Sequence, residues 1–370
     1  MKGTRCEEQT VLPDGESPAI AAVMFSAGLL GNLTALGLLL AGRRRSSRTG
    51  RPPLSPFQVL LSGLVVTDLL GTCLVSPVVL ASYGLGRTLL GLTPGGSVCR
   101  YFAFAMSFFG LATMLALLAM ALERSLALGA PYFYQRLLAS PRAGLLLAAL
   151  PALDGLAALF CALPLLLDFG RFVQYCPGTW CFIQMHPPPV GDAGGSVLIY
   201  SLLYASLLLL LILAVLLCNL TVILNLVRMH RRGPVARCRL GGQQPQPAGG
   251  AEGGCGGRRR LSMTEELDHL ILLSLMTVIF LICSLPFTIR AFMNKFIQDG
   301  DYKEDLRALR FLSINSIIDP WVFAILRPSV LRLMRSVLCC QMPPKTEDNN
   351  ARTSPTDKSK SAKPMDLCRQ

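Results

Sequence analysis

The sequence predicts an all-α membrane protein: a seven-transmembrane helix bundle followed by a short amphipathic helix on the membrane surface. Three observations predict it. Hydrophobic residues make up 52% of the 370 and charged residues only 15%, against about a quarter charged in soluble domains. The charges gather between long apolar stretches rather than along helical faces. Those stretches number seven, at 18–42, 57–83, 100–128, 143–167, 196–227, 267–293 and 306–326. Each is long enough, at about 1.5 Å per residue, to cross a hydrocarbon core of about 30 Å.

Residues 1–17 hold no apolar core with a cleavage site, so they are expected to form an outer N-terminus, with the first span as the insertion signal. With that terminus outside, 25 of the 35 Lys and Arg residues face the inside, as the positive-inside rule requires. The net charge of +13 is thereby accounted for by membrane orientation. Nucleic acid is not an expected partner, because neither zinc-finger spacing nor an aromatic-rich basic motif accompanies the charge. Between the fifth and sixth spans, 229–264 is rich in Gly, Pro and Gln and reads as a flexible inner loop. Ser262-Met-Thr-Glu265 is a capping-box pattern expected to start the sixth helix. With Arg258-Arg-Arg before it, Ser262 is also a phosphorylation candidate. Residues 327–340 alternate Leu, Val and Met with Arg, the pattern of a surface helix. Cys339 and Cys340 at its end are lipidation candidates. The remainder, 341–370, reads as a disordered cytoplasmic tail.

The thirteen cysteines sort by compartment. Only Cys6, Cys99, Cys176 and Cys181 lie outside, where disulfides form, and four cysteines allow three connectivities. Cys99 opens the third span, so a bridge from it to the second outer loop would pin that loop over the bundle. The two glycosylation sequons, at Asn32 and Asn219, both fall inside spans and are expected to stay unmodified. The three His residues show no metal-ligand spacing, and no cofactor is expected.

A polar or ionisable group at membrane depth is costly unless paired or hydrated, so each is a functional candidate. Asn32, Asp68, Glu123, Arg124, Asp154, Arg310 and Asp319 qualify. Asp68 and Asp319 are both expected near the bilayer centre, sharing a cation such as sodium or holding a proton. Such a pair suits a conformational switch rather than hydrolysis, since no nucleophile–base pair, metal triad or phosphate loop accompanies it. A lipid-anion transporter would call for inverted repeats or broken helices, and no internal repeat is present. Arg310 lies nine residues before Asp319, or about 13 Å nearer the outer face. Its forked, permanently charged guanidinium matches a carboxylate, inviting an anionic but otherwise apolar ligand. The competing reading is an ion pair with Glu304 or Asp305.

Gly31-Asn32, Asp68-Leu69, Glu123-Arg124, Pro286 and Asp319-Pro320 together resemble the rhodopsin-like G-protein-coupled receptors across all seven spans. The departures narrow the family. Ser125 stands where an aromatic is usual after Arg124, and Ser284 stands where most members carry Trp. Ser284, Asp319-Pro-Trp-Val-Phe323 and above all Gln174-Tyr-Cys-Pro-Gly-Thr-Trp-Cys-Phe182 are similar to the prostanoid receptors. Pro18-Ala-Ile20, Leu54-Ser-Pro-Phe57, Ala130-Pro-Tyr-Phe-Tyr-Gln-Arg136 and Phe311 to Asp319 resemble the prostaglandin E2 branch. Leu29 to Leu33, Phe182-Ile-Gln-Met185 and Asp305 to Arg310 stand nearer the prostaglandin D branch.

The resemblance implies specific roles. Cys99 pairs with Cys181, and Cys6 with Cys176. Arg310 takes the carboxylate of a prostaglandin, assisted by the hydroxyls of Tyr83 and Thr179, with Met106, Phe109, Leu312 and Ser316 around the lipid. Asn32, Asp68 and Asp319 belong to the switch, with Glu123 holding Arg124 until the sixth helix swings outward. Pro286 is the pivot. Since Ser284 cannot act as a bulky rotamer toggle, motion is expected to pass through packing around Phe287, Met114 and Trp321. Arg124, Pro131, Tyr132 and Phe133 meet a heterotrimeric G protein of the stimulatory class, and the tail meets arrestin and receptor kinases. Amine receptors of the family carry Asp at the place of Met106, and opsins need a Lys that 306–326 lacks.

Overall fold

A computed structural model describes residues 8–48, 55–138, 143–167, 169–186, 197–231, 254–294 and 302–326. All belong to one unit, Met1–Arg327; the second unit, Pro328–Gln370, lies outside the described residues. So do Cys6, the expected surface helix at 327–340, Cys339, Cys340 and the tail.

Eight helices carry the described chain: α1 Ala19–Arg48, α2 Pro56–Leu85, α3 Ser97–Gly129, α4 Pro131–Leu138, α5 Ala143–Leu166, α6 Val197–Arg231, α7 Gly254–Met293 and α8 Tyr302–Leu326. Six (α1, α2, α3, α6, α7 and α8) are long and apolar enough to cross a membrane. The fourth expected span is α5, 24 residues long, with a shorter apolar stretch, Ala149–Leu163. Apolar side chains all round these helices, exposed toward lipid as well as buried inward, explain why they are helical and why they bundle: lipid supplies no partner for a backbone N–H, so the helix must satisfy its own. At α2, Ser55 accepts from the Gln58 backbone N–H and Gln58 reaches back to the Ser55 N–H, closing a capping box.

The expected cap at Ser262 does not start a helix. α7 begins at Gly254, so Ser262 lies within it. Arg, Leu, Met and Glu are good helix formers, and a turn nucleated in the membrane propagates outward through them. Correspondingly the expected flexible loop is helical to Arg231 and again from Gly254; 232–253 lies outside the described residues.

At the end of the bundle that the charge distribution assigns to the outside, β1 Phe172–Tyr175 pairs antiparallel with β2 Trp180–Ile183, with Phe172 opposite Ile183 and Tyr175 opposite Trp180. Every residue of β2 is buried, so the hairpin is a plug rather than a surface loop. The turn uses Gly178 at φ +113°, and a Cβ there would stand 2.4 Å from Thr88. Cys181 is disulfide-bonded to Cys99 at the head of α3, and Cys176 is also oxidised in a disulfide. The N-terminal segment joins this cap: Val11 bridges Arg87, and Gln174 donates to the Gln9 carbonyl at 3.0 Å.

Candidate functional site

Beneath the plug, α1, α2, α3 and α8 line an apolar cavity, the kind of concave, mostly apolar place where small molecules bind. Met24, Val75, Phe102, Phe109 and Ile317 give it an apolar wall, and Trp180 of β2 roofs it. Of the residues expected to bind ligand, Met106, Leu312 and Ser316 line this cavity. Arg310, Tyr83 and Thr179 stand at its outer margin instead. Arg310 lies one turn outward of the lining residue Ser313, whose hydroxyl donates to the Arg310 carbonyl at 2.8 Å. Tyr83 lies one turn outward of the lining residue Val79, and Thr179 immediately precedes Trp180.

The electrostatics of the margin are asymmetric. Among the described residues nothing pairs with the half-buried Arg310 guanidinium. The two acids named as competing partners are engaged elsewhere: Glu304 with Arg307, and Asp305 with Arg290 at 2.6 Å and with His186. Thr179 is fully buried and its hydroxyl has no hydrogen-bond partner. A cation and a dry hydroxyl, both unsatisfied beside an apolar cavity, suit one anionic group on a greasy molecule.

Deeper in the bundle lies a layer of buried polar groups. Asp68 accepts from Thr113 at 2.8 Å, and Ser316 lies within reach of the same carboxylate. Asn32 donates to the Ser316 carbonyl at 3.1 Å. Ser316 therefore touches both the cavity and the expected switch. One oxygen of Asp68, both oxygens of Asp319 and the amide oxygens of Asn32 and Asn315 are buried without partners. That donor set fits a small cation or protons. Among the described residues no three His, Cys, Asp or Glu side chains are arranged to hold a metal. Asp154 in α5 also has no partner among the described residues.

Of the three residues expected to relay motion around the sixth span, two are buried and one is not. Phe287, fully buried, meets Phe182 of β2 at 5.4 Å and Tyr204 of α6 at 5.8 Å, in edge-to-face contacts. Met114 is buried too. Trp321, however, is 38% exposed and turned to α1, where it donates to the Ala27 carbonyl at 3.1 Å. A Cβ on Gly31 would stand 2.6 Å from its ring nitrogen, so the missing side chain at Gly31 is what admits the indole there. Near Pro286, Ser284 hydrogen-bonds the Phe280 carbonyl and Thr288 donates to the Ser284 carbonyl at 3.0 Å. The proline has no N–H, so the helix is a natural hinge at this point.

At the inner end, Arg124 donates to Glu123 at 2.5 Å and 2.6 Å, both residues being buried. Two partners escaped the sequence reading. Tyr134 of α4 donates to Glu123 at 2.7 Å, and the Phe57 ring lies 5.2 Å from the Arg124 guanidinium, a cation–π distance. Phe57 also lies against His269 of α7, the two rings tilted with centroids 4.5 Å apart. Pro131, Tyr132 and Phe133 are exposed on α4, Tyr132 by 80%.

The sequence model described as 7 transmembrane receptor (rhodopsin family) matches residues 34–323. The chain is 57% identical over 370 residues to the prostaglandin E2 receptor EP2 subtype of Homo sapiens, covering 98% of this chain and 97% of that protein. It is 57% identical to the protein of that name from Canis lupus familiaris, covering 93% and 91%. With the prostaglandin D2 receptor of Bos taurus identity is 51%, covering 89% and 91%. The cavity, the buried polar layer and the Glu123–Arg124 pair thus sit in a known architecture: the chain belongs to the rhodopsin family of seven-transmembrane receptors, in the branch that holds the prostaglandin receptors.

Proposed function

We propose that the chain is a plasma-membrane receptor for prostaglandin E2 that acts through the stimulatory G protein to raise cyclic AMP, its N-terminus outside the cell and its tail in the cytoplasm. The observation that carries this reading is Arg310, a guanidinium without an ionic partner among the described residues, beside an apolar cavity. A prostaglandin offers one carboxylate and two long apolar chains, the complement of that arrangement. Thr179 and Tyr83 supply further donors to the carboxylate, and Met106, Leu312 and Ser316 contact the chains. The names carried by relatives 57% identical to this chain support prostaglandin E2 in particular.

Ligand seated on Ser316 and Leu312 presses on α8, and α8 carries Asp319. The lipid must hold the active arrangement more tightly than the inactive one, since equal affinity shifts nothing. Arg124, freed from Glu123 as α7 swings about Pro286, then meets the G protein together with Pro131, Tyr132 and Phe133. The tail recruits arrestin and receptor kinases. A prostaglandin D2 receptor is the second reading, supported by 51% identity to one such protein.

The test is cyclic AMP production in cells expressing the full chain, against prostaglandins E2, D2, I2 and F2α, repeated with Arg310→Gln. The expected order puts prostaglandin E2 first. Potency in the variant falls by about 100-fold or more, the usual cost of removing one partner of a desolvated charge pair. Silence to the whole panel overturns the ligand class, and unchanged potency in the variant overturns the site.

A further inference from the structure

The inner end of α1 carries a cluster of charge that the signalling scheme above does not use. The apolar span of α1 is Ala19–Arg44, 26 residues, or about 39 Å at about 1.5 Å per residue. That length already exceeds a hydrocarbon core of about 30 Å and reaches the headgroup layer. The helix continues beyond it to Arg48. Arg43, Arg44 and Arg48 are exposed there, and among the described residues no carboxylate pairs with them. The sequence supplies no acid nearby either. Arg43, Arg44, Arg45, Arg48 and Arg51 place five positive charges within nine residues, and no Asp or Glu stands between Glu16 and Asp68.

A second observation comes from the face that two of these arginines share with apolar residues. Gly37, Leu40, Arg44 and Arg48 follow Leu33 by four, seven, eleven and fifteen residues, the spacing of one helical stripe. All five are exposed. A Cβ on Gly37 would meet nothing within 4 Å, so the stripe has a shallow gap in its apolar part. This face is apolar at membrane depth and cationic at headgroup level, the complement of an anionic lipid.

We propose that the inner end of α1 binds a polyanionic lipid of the phosphoinositide class, its phosphates on Arg43, Arg44 and Arg48 and an acyl chain along the Gly37 gap. Membrane orientation alone needs only an excess of positive charge. Guanidinium forks do more, because each pairs two phosphate oxygens at once. Arg44 and Arg48 stand one helical turn apart, about 5–6 Å between Cβ atoms, close enough to share one headgroup with several phosphates. A headgroup with a single phosphate would leave the other guanidinium groups unmatched. Basic clusters directly cytoplasmic of a span are the usual recognition element for such lipids. The assignment to the inner leaflet rests on the orientation proposed above; the binding itself does not.

The test uses the full chain in a neutral detergent at physiological ionic strength. Microscale thermophoresis measures binding of dioctanoyl phosphatidylinositol bisphosphate, dioctanoyl phosphatidylserine and inositol trisphosphate. The bisphosphate lipid is expected to bind about tenfold or more tighter than either of the others. The combined variant Arg43→Gln, Arg44→Gln and Arg48→Gln should lose about 100-fold in affinity for it, each arginine being worth roughly fivefold near an anionic surface. Lys at the same three positions keeps the charge and should restore all but a few-fold of that loss. Thermal unfolding without lipid checks the fold: parent and both variants should melt alike. Added bisphosphate lipid should then raise the Tm of the parent and the Lys variant only. Parent affinity in the Gln variant, equal binding of phosphatidylserine, or a Lys variant as weak as the Gln variant overturns the site. Inositol trisphosphate binding as tightly as the lipid overturns the lipid assignment. A reversed orientation, read from tagged termini on intact cells, would change the leaflet and none of these affinities, so the two readings fail separately.

Discussion

A hydroxyl such as that of Thr179, fully buried and without a partner, carries its desolvation cost in the empty receptor, about 1–3 kcal/mol for a neutral group. A site that accepts this cost gains discrimination when a ligand supplies the missing acceptor. Stability and affinity should therefore respond in opposite directions at this position. Thr179→Val keeps the shape and removes the hydroxyl. Prostaglandin E2 affinity is expected to fall by about tenfold, one lost hydrogen bond, while the unfolding temperature of the unliganded receptor stays level or rises. Radioligand binding and a thermal shift assay read the two quantities on the same preparation. A drop in both would make Thr179 a structural residue. Trp321 carries the opposite lesson: with Ser284 in place of a bulky toggle it was expected among the relaying residues, but the absent side chain at Gly31 opens a slot on α1 that the indole fills.

The elements were legible where a physical rule acts on contiguous residues. Hydropathy alone located seven long helices, six of them long and apolar enough to cross a membrane, because lipid enforces helix over any run long enough to cross it. The plug was legible through Cys99 and the run from Gln174 to Phe182, although its two-stranded form came only with the structure. What stayed hidden joins distant segments. His186 and Asp305 are 119 residues apart, and neither is unusual where it stands. Tyr134 lay inside a run singled out for its resemblance, yet its bond to Glu123 depends on where α4 settles under α3. That contact bears on the switch. Arg124 and Tyr134 both donate to Glu123, so in the switch proposed above the carboxylate would be held from two elements at once. Glu123→Gln keeps the volume and discards the charge, so basal cyclic AMP should rise several-fold without ligand, as expected when a charged hydrogen bond of about 1.5–3 kcal/mol weakens. Tyr134→Phe should raise it less. Basal signalling at the parent level in both variants would remove this pair from the switch.

Taken as a whole, the molecule is asymmetric across the membrane. One end holds the plug, the Cys99–Cys181 disulfide and the Arg310 margin, and the other holds the Glu123–Arg124 pair; by sequence, 25 of the 35 basic residues fall in segments expected on that second side. These features favour the orientation proposed above on independent grounds. Disulfides persist in oxidising surroundings, basic loops remain in the cytoplasm, and a ligand arriving from outside must meet Arg310 before the buried polar layer. If the N-terminus were inside, the oxidised Cys99–Cys181 pair would stand in a reducing compartment and the basic excess would lie on the translocated side. An epitope fused before Met1 should thus stain on intact cells, and one fused after Gln370 only once the cells are permeabilised. Glycosidase treatment should leave the electrophoretic mobility unchanged, because Asn32 is fully buried and Asn219 nearly so, both at membrane depth where the transferase cannot reach them. Staining of the C-terminal epitope on intact cells would reverse the orientation, and with it the assignment of the cavity to the side from which ligand arrives.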